Sequence, residues 1–126
     1  MKLARAASIE DLRRMAARRI PDFVFTNIDE GAGDDGGLVR NRRAFEERTF
    51  RIRRLRPLGT DTGVEVFGRT FSLPFGASPV GSADLAWPGT DIALARLAEA
   101  EGFPYVLSTA ATTAIERIVE VAPTVT

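Results

Sequence analysis

The sequence contains no histidine and no cysteine. Histidine is the commonest general base at neutral pH and a frequent metal ligand, so these 126 residues lack the usual group for abstracting a proton. The absence of cysteine excludes disulfides and thiolate metal sites. Lysine occurs once, at Lys2, so the glycine-rich phosphate loop that ends in a lysine is also excluded.

The chain has no net charge and no long apolar run. Its 17 basic residues balance 17 acidic ones, so no overall positive field favours nucleic acid or an anionic membrane. The N-terminus lacks the apolar segment of a secretion signal, and Glu10 and Asp11 argue against an organellar presequence. We therefore expect a cytoplasmic protein that is at most peripheral to a membrane.

Arginine is concentrated in one segment, RNRRAFEERTFRIRRLRP. Its eight arginines are Arg40, Arg42, Arg43, Arg48, Arg51, Arg53, Arg54 and Arg56. A nucleic-acid patch is one interpretation. A solvated helix followed by an extended segment is the other, and we favour it because the net charge is zero and no platform of aromatic residues accompanies the arginines.

The first half of the chain is polar and predicts three helices. Ser8 is a good N-cap, with Asp11 placed to complete a capping box. Pro21 either ends the first helix or begins the second at its first position, and Gly31 closes the second. LVRNRRAFEERTF predicts the third, with Leu38 and Phe45 on one face.

Four acidic residues surround the GAGDD loop: Asp29, Glu30, Asp34 and Asp35. Their spacing does not fit a calcium-binding loop, which needs ligands at alternate positions and a closing glutamate. We expect these acids to stabilise turns and helix ends.

The second half is apolar and regular. VEVFGRTFSLP predicts a small hairpin at the edge of a larger structure, with Gly68 in its turn. An apolar strand then ends near Ser78, a helix runs from about Thr90 to Glu101 with Gly102 as its C′ residue, and a second strand follows in PYVLST. The T-x-x-E of Thr113 and Glu116 predicts a capping box for a last helix.

The order strand, helix, strand, helix implies a parallel sheet with a right-handed crossover. The two strand ends, Ser78 and Ser108, are 30 residues apart, and a (β/α)₈ barrel averages about 31 residues per unit. A doubly wound sheet fits the spacing nearly as well. We favour the barrel because small residues follow both strands, at the end where a barrel carries its active site.

Small residues at the two strand ends are compatible with a ligand site. Pro79 and Gly81 would let a flat ligand approach the backbone, and the hydroxyls of STAATT, from Ser108 to Thr113, would bond a polar ring edge. Ordinary turn chemistry explains the same residues equally well. Trp87 lines a pocket mouth or packs within its loop, and we favour packing.

Several segments in order resemble one family, the FMN-dependent α-hydroxy-acid dehydrogenases and oxidases, which includes glycolate oxidase, L-lactate dehydrogenase and mandelate dehydrogenase. The segments are RRIPDFVFTNIDEGAGDD, LVRNRRAFEERTFRIRRLRP, FGRTFSLPFGASPVG and LAWPGTDIALARLAEAEGFPYVLSTAATTAIERIVEVAP. The last is the most specific, since it combines L-S-T with an S/T-I-E type of helix start. The resemblance covers the whole chain and corresponds to the N-terminal part of the family.

The resemblance implies an α/β fold: the N-terminal part of a (β/α)₈ TIM barrel. Residues 1–71 would form a helical leader and a hairpin, and residues 72–126 the first two βα units. It also implies the cofactor FMN, contacted by Pro79, Val80 and Gly81 through the main chain and by Ser108. Asn27 occupies the position of a family tyrosine that touches the substrate, which weakens the expectation that it binds substrate.

The implied activity is oxidation of an L-2-hydroxy acid to a 2-oxo acid by an intact enzyme that we expect to be a homo-oligomer. The family's catalytic histidine, lysine and carboxylate-binding arginines lie on later strands, so no residue of this chain is expected to be catalytic, and the chain alone is expected to be inactive. Two alternatives stay open. One is a non-catalytic remnant or fragment that associates with a complementary barrel piece, and the other is an arginine-driven binder of nucleic acid or an anionic surface.

Overall fold

A computed structural model of the chain describes residues 6–52, 54, 55 and 59–124. The chain divides into two compact units, Met1–Gly59 and Thr60–Thr126, each described here by itself. The second unit contains the predicted hairpin as well as the segments that follow it, and Phe71 belongs to its buried core. Two of the eight clustered arginines, Arg53 and Arg56, lie outside the described residues.

The first unit contains three helices: α1 (Ile9–Ala16), α2 (Asp22–Asp29) and α3 (Gly36–Glu46). The capping box of α1 is confirmed. The Ser8 hydroxyl accepts from the Asp11 N–H at 3.2 Å, and the Asp11 carboxylate accepts from the Ala7 N–H at 3.0 Å. Arg13 joins α1 to α2 through two hydrogen bonds to the Asp29 carboxylate, at 2.5 and 2.6 Å.

The ends of α2 differ by one or two residues from the prediction. Pro21 is the N-cap rather than the first helical residue, and Glu30, in extended conformation, is the C-cap in place of Gly31. The reason is local: the Gly31 N–H donates to the Asp35 carboxylate at 2.8 Å, which draws Gly31 into the following turn.

Helix α3 is the solvated helix that the arginine pattern favoured. None of its residues is buried, and the expected apolar pair, Leu38 and Phe45, is 38% and 83% exposed. Arg43 pairs with Glu47 at 3.1 Å. Within the described part of this unit only Met15 and Val24 are buried apolar side chains, so its core is small.

The second unit begins with the predicted hairpin. Strands β1 (Val64–Val66) and β2 (Arg69–Phe71) pair antiparallel. The two turn residues, Phe67 and Gly68, have φ values of 51° and 73°. Positive φ at both central positions is the type I′ geometry that matches the twist of the strands.

Three helices follow: α4 (Ala83–Ala86), α5 (Thr90–Glu101) and α6 (Ile115–Val121). Helix α5 has the predicted bounds and ends at Gly102, whose φ of 71° is the left-handed conformation expected of a C-terminal glycine. Two alanines of α5, Ala95 and Ala98, are fully buried in one cluster with Ile118 of α6.

The two predicted strands run parallel, as expected, but in the described residues they form one bridge rather than a ladder. Ala77 pairs with Tyr105: the Ala77 N–H donates to the Pro104 carbonyl at 2.9 Å, and the Val106 N–H donates to the Ala77 carbonyl at 3.1 Å. The prolines within these segments lack an N–H to continue the pairing. They are Pro74, Pro79 and Pro104.

The predicted capping box of α6 is wrong. Helix α6 begins one residue later, with Ala114 as its N-cap and no side chain capping it. The Thr113 hydroxyl is turned away from the helix and donates to the Asp84 carboxylate at 3.2 Å. A tertiary hydrogen bond therefore replaces the local one.

The core holds one buried polar pair. The Tyr105 hydroxyl donates to Oδ1 of Asp91 at 3.0 Å, and Asp91 is only 3% exposed. Burial first, and then the hydrogen bond to Asp91, raise the pKa of Tyr105 well above its ordinary value of 10.0. Across the described ranges no helix is both long and apolar enough to cross a membrane.

Gly76 sets how closely the two parallel segments approach. A Cβ on Gly76 would lie 2.6 Å from the Pro104 carbonyl oxygen and 2.8 Å from Pro104 Cγ. Since backbone cannot move aside cheaply, we expect Gly76→Ala to lower the free energy of unfolding by about 1–3 kcal/mol in urea denaturation. Gly59→Ala, where nothing lies within 4 Å, is the control. Equal denaturation midpoints for the two variants would contradict the close approach.

The buried pair predicts an unusual titration. Tyr105 is the only tyrosine, so tyrosinate absorbance reports it alone. Because its pKa is raised in the folded state, its contribution to stability is complete below pH 10.0 and is lost as the pH rises through the higher folded value. We expect no ionisation of the native chain at about pH 10–11 and ordinary ionisation in urea. A native midpoint near 10 would show that Tyr105 is not held by Asp91.

Candidate functional site

The candidate site is formed by two loops that leave the parallel segments on the same side. We call residues 78–82 the first loop and residues 108–113 the second loop. The Ser82 N–H of the first donates to the Ala110 carbonyl of the second at 3.0 Å. The carboxyl ends of parallel strands share one edge, which is why Ser82 and Ala110, 28 positions apart in sequence, meet here.

Two of the predicted site residues, Gly81 and Ser108, lie side by side. A Cβ on Gly81 would be 3.3 Å from Ala110 Cβ and 3.7 Å from Ser108 Oγ. A larger residue at position 81 would therefore press on the second loop and cover the serine. The glycine keeps this edge open, which is the condition a flat ligand needs.

The first loop presents hydrogen-bond donors that the folded chain does not use. Within the described residues, the N–H groups of Val80 and Gly81 donate to no acceptor, and both residues are exposed. Pro79, also exposed, has no N–H of its own. The loop thus offers two adjacent backbone donors to an acceptor outside the chain.

Ser108 adds a hydroxyl beside these donors. Its Oγ accepts from the Ala110 N–H at 3.1 Å, which turns the second loop back on itself and orients the side chain. A hydroxyl that accepts one bond still has its own proton to donate. The edge made by Val80, Gly81 and Ser108 is therefore uncharged and rich in donors, and suits the carbonyl and ring-nitrogen acceptors of a planar heterocycle.

Sequence reasoning missed Asp84, the first polar residue of α4. Its Oδ2 accepts from the hydroxyls of Thr112 and Thr113 at 3.0 and 3.2 Å, and its Oδ1 from the Asp91 N–H at 3.4 Å. Partial burial works to raise the pKa of Asp84, but these hydrogen bonds together outweigh it and hold the pKa below its usual value. A single acid in a loop carries no sequence signal of this contact.

Two further predicted residues, Asn27 and Trp87, are exposed. Asn27 lies on the exposed side of α2, in the first unit. Trp87 is the C-cap of α4 and is 61% exposed, so this residue is mostly open to solvent.

Two of the acids near GAGDD, Asp34 and Asp35, stabilise the turn as expected, whereas Asp29 joins two helices. Asp35 accepts from Gly31, Asp34 accepts from the Gly36 N–H at 3.2 Å, and Asp29 pairs with Arg13, whose guanidinium lowers the pKa of Asp29. The described part of the chain contains no group of three or more histidine, cysteine or acidic side chains placed to hold a metal ion.

Comparison with known proteins matches nearly the whole chain to one group of enzymes. A candidate L-lactate dehydrogenase of Mycobacterium tuberculosis (strain ATCC 25618 / H37Rv) is 42% identical over 123 residues, which are 97% of this chain and 30% of the relative. The (S)-mandelate dehydrogenase of Pseudomonas putida is 36% identical over 110 residues, 86% of this chain and 28% of the relative. The chain thus spans less than a third of these relatives.

A solved structure agrees with these matches. An oxidised active mutant of (S)-mandelate dehydrogenase, a TIM-barrel enzyme, superposes with a TM-score of 0.82 at 35% identity, over 92% of this chain and 33% of that one. The sequence profile of the family described as FMN-dependent dehydrogenase matches residues 16–126. The chain therefore belongs to the FMN-dependent dehydrogenase family.

Proposed function

We propose that the chain forms the first part of an enzyme that oxidises an L-2-hydroxy acid to the 2-oxo acid with FMN. In this proposal residues 72–126 are the first two βα units of a (β/α)₈ barrel, and the segments before them are its leader and hairpin. The parallel pairing of Ala77 with Tyr105 across α5 supports this assignment. So do relatives that are named as lactate and mandelate dehydrogenases.

One observation carries the proposal: the donor edge of Val80, Gly81 and Ser108. A flavin ring is planar and has carbonyl oxygens and ring nitrogens at its edge. The two unused backbone N–H groups and the Ser108 hydroxyl fit such acceptors, and the missing Cβ at Gly81 leaves the ring room beside Ala110. The residues present therefore suit FMN.

The roles of the cofactor and of the protein follow from the residues that the chain contains. When bound, FMN would supply the redox chemistry, as the acceptor of hydride from the substrate. Pro79 to Gly81 and Ser108 bind and orient the ring edge, and the absence of charge in this edge keeps the ring in an uncharged setting. With no histidine in the chain, the group that accepts the hydroxyl proton comes from outside these 126 residues.

The substrate class is a small 2-hydroxy acid, in line with the names of the relatives. Asn27, at the position of the family tyrosine, is an exposed amide that can donate to a substrate carboxylate. We propose that this contact is weaker than that of the tyrosine, because the asparagine side chain is shorter and not aromatic, and that the intact enzyme is a homo-oligomer.

A second candidate, association with a complementary barrel piece, is favoured by an apolar groove of the second unit. The groove has a volume of about 610 Å³ and lies between the hairpin and the second parallel segment. Its lining includes Val66, Phe67, Phe71, Pro104, Val106 and Leu107. The remaining strands of a barrel would cover these side chains.

The flavin contacts predict weak but measurable binding by the chain itself. We expect FMN fluorescence to change on titration with the chain, in the sub-millimolar range. Ser108→Ala should weaken the affinity by about threefold to tenfold, the effect of one hydrogen bond. Thr70→Ala, which removes an exposed hydroxyl of β2, is the matched control. Unchanged binding in Ser108→Ala would remove this serine from the site.

Catalytic activity should distinguish the chain alone from the chain in a complex with the rest of a barrel. The purified chain should reduce no redox dye with any 2-hydroxy acid, because it contains no histidine to accept the hydroxyl proton. Co-expression with the C-terminal two thirds of (S)-mandelate dehydrogenase should yield a flavin-containing complex that oxidises (S)-mandelate. Dye reduction by the chain alone would contradict the first expectation. A co-purified complex without flavin would contradict the proposed function.

A further inference from the structure

Asp84 connects the two loops of the candidate site. It lies just after the first loop, and its Oδ2 accepts hydrogen bonds from Thr112 and Thr113 at the end of the second loop. These bonds join positions 28 and 29 residues apart in sequence. A charged acceptor makes them stronger than bonds between neutral groups.

The backbone at this junction has an unusual conformation. Ser82, between Gly81 and α4, has φ 53° and ψ 32°, in the left-handed region that residues with a Cβ seldom adopt. Such a conformation persists when surrounding contacts require it. Here the Ser82 N–H is held by the Ala110 carbonyl, and the Ser82 carbonyl accepts from the Leu85 N–H at 2.9 Å.

Both sets of contacts come after the donor-edge residues in the sequence of each loop. The Ser82–Ala110 bond is next to Gly81, and the Asp84 bonds are made two and three residues beyond Ala110. Together they prevent the second loop from swinging away from the first. The spacing between the Gly81 N–H and the Ser108 hydroxyl depends on this attachment, since those two residues share no hydrogen bond.

We propose that Asp84 is a positioning residue for the flavin edge, holding Ser108 at the distance from Gly81 that one ring requires. Asp84 touches no ligand in this role and acts through Thr112, Thr113 and the second loop. The inference rests on the proposed function for its ligand, but the attachment of the loops is a property of the chain alone.

The attachment is tested by hydrogen exchange on the 126-residue chain. In Asp84→Ala we expect the Ser82 and Ala110 amides to exchange about tenfold faster than in the wild type. The amides of Gly102 and Ala122, bonded within or at the ends of α5 and α6, should be unchanged. Thr112→Val with Thr113→Val should reproduce the effect, and Asp84→Asn, which keeps one acceptor oxygen, should be intermediate. Glu101→Ala, an exposed acid at the far end of α5, is the control.

The role is tested by FMN titration of the same proteins. Asp84→Ala should weaken FMN binding by about tenfold and Glu101→Ala should not. If the wild type binds FMN and Asp84→Ala binds it equally well, the positioning role is overturned while the proposed function stands. If the wild type binds no FMN, the proposed function falls, whatever the exchange shows. Unchanged exchange at Ser82 and Ala110, or equal acceleration at Gly102 and Ala122, would overturn the attachment itself.

Discussion

The second unit depends on the close parallel approach of two segments, residues 76–77 and 104–106. Two backbone hydrogen bonds join them, and Gly76 lies so near the Pro104 carbonyl that a methyl group has no room. Helix α5 connects the two segments and buries its alanines against Ile118 of α6. Because both segments run in the same direction, the loops that follow them leave on one side, and the donor edge exists only for that reason.

The hydrogen-bond donors of the candidate site are uncharged groups. Val80, Gly81 and Ser108 offer neutral donors, while the nearby carboxylate of Asp84 accepts hydrogen bonds from two threonines. A neutral edge suits a planar cofactor that carries the reactivity itself, while the protein binds the cofactor, orients it and tunes its reactivity. The same chain has no histidine, and its acids stabilise turns, caps and ion pairs.

Sequence motifs predicted the structure correctly where the contacts join residues that are close together in the sequence. Ser8 and Asp11 form their capping box, Gly68 lies in the hairpin turn, and Gly102 ends α5 in the left-handed conformation. They failed where a distant group competes. Thr113 has the right spacing to Glu116, but its hydroxyl bonds Asp84, so Ala114 begins α6 without a cap. The two predicted strands run parallel, as expected, but they pair over fewer residues than predicted because prolines interrupt their hydrogen bonding.

The sequence by itself determined the family, the parallel order of the second unit and the positions of the small residues that follow each strand. The family follows from the resemblance of its segments to known sequences, and the other two follow from periodicity and spacing, which are local in the chain. Only the tertiary structure decided that Gly81 lies against Ser108, that Ser82 adopts a left-handed conformation, and that Asp84 holds the second loop. Those contacts join residues nearly 30 positions apart, and no local preference specifies which hydroxyl a carboxylate will meet once the chain has folded.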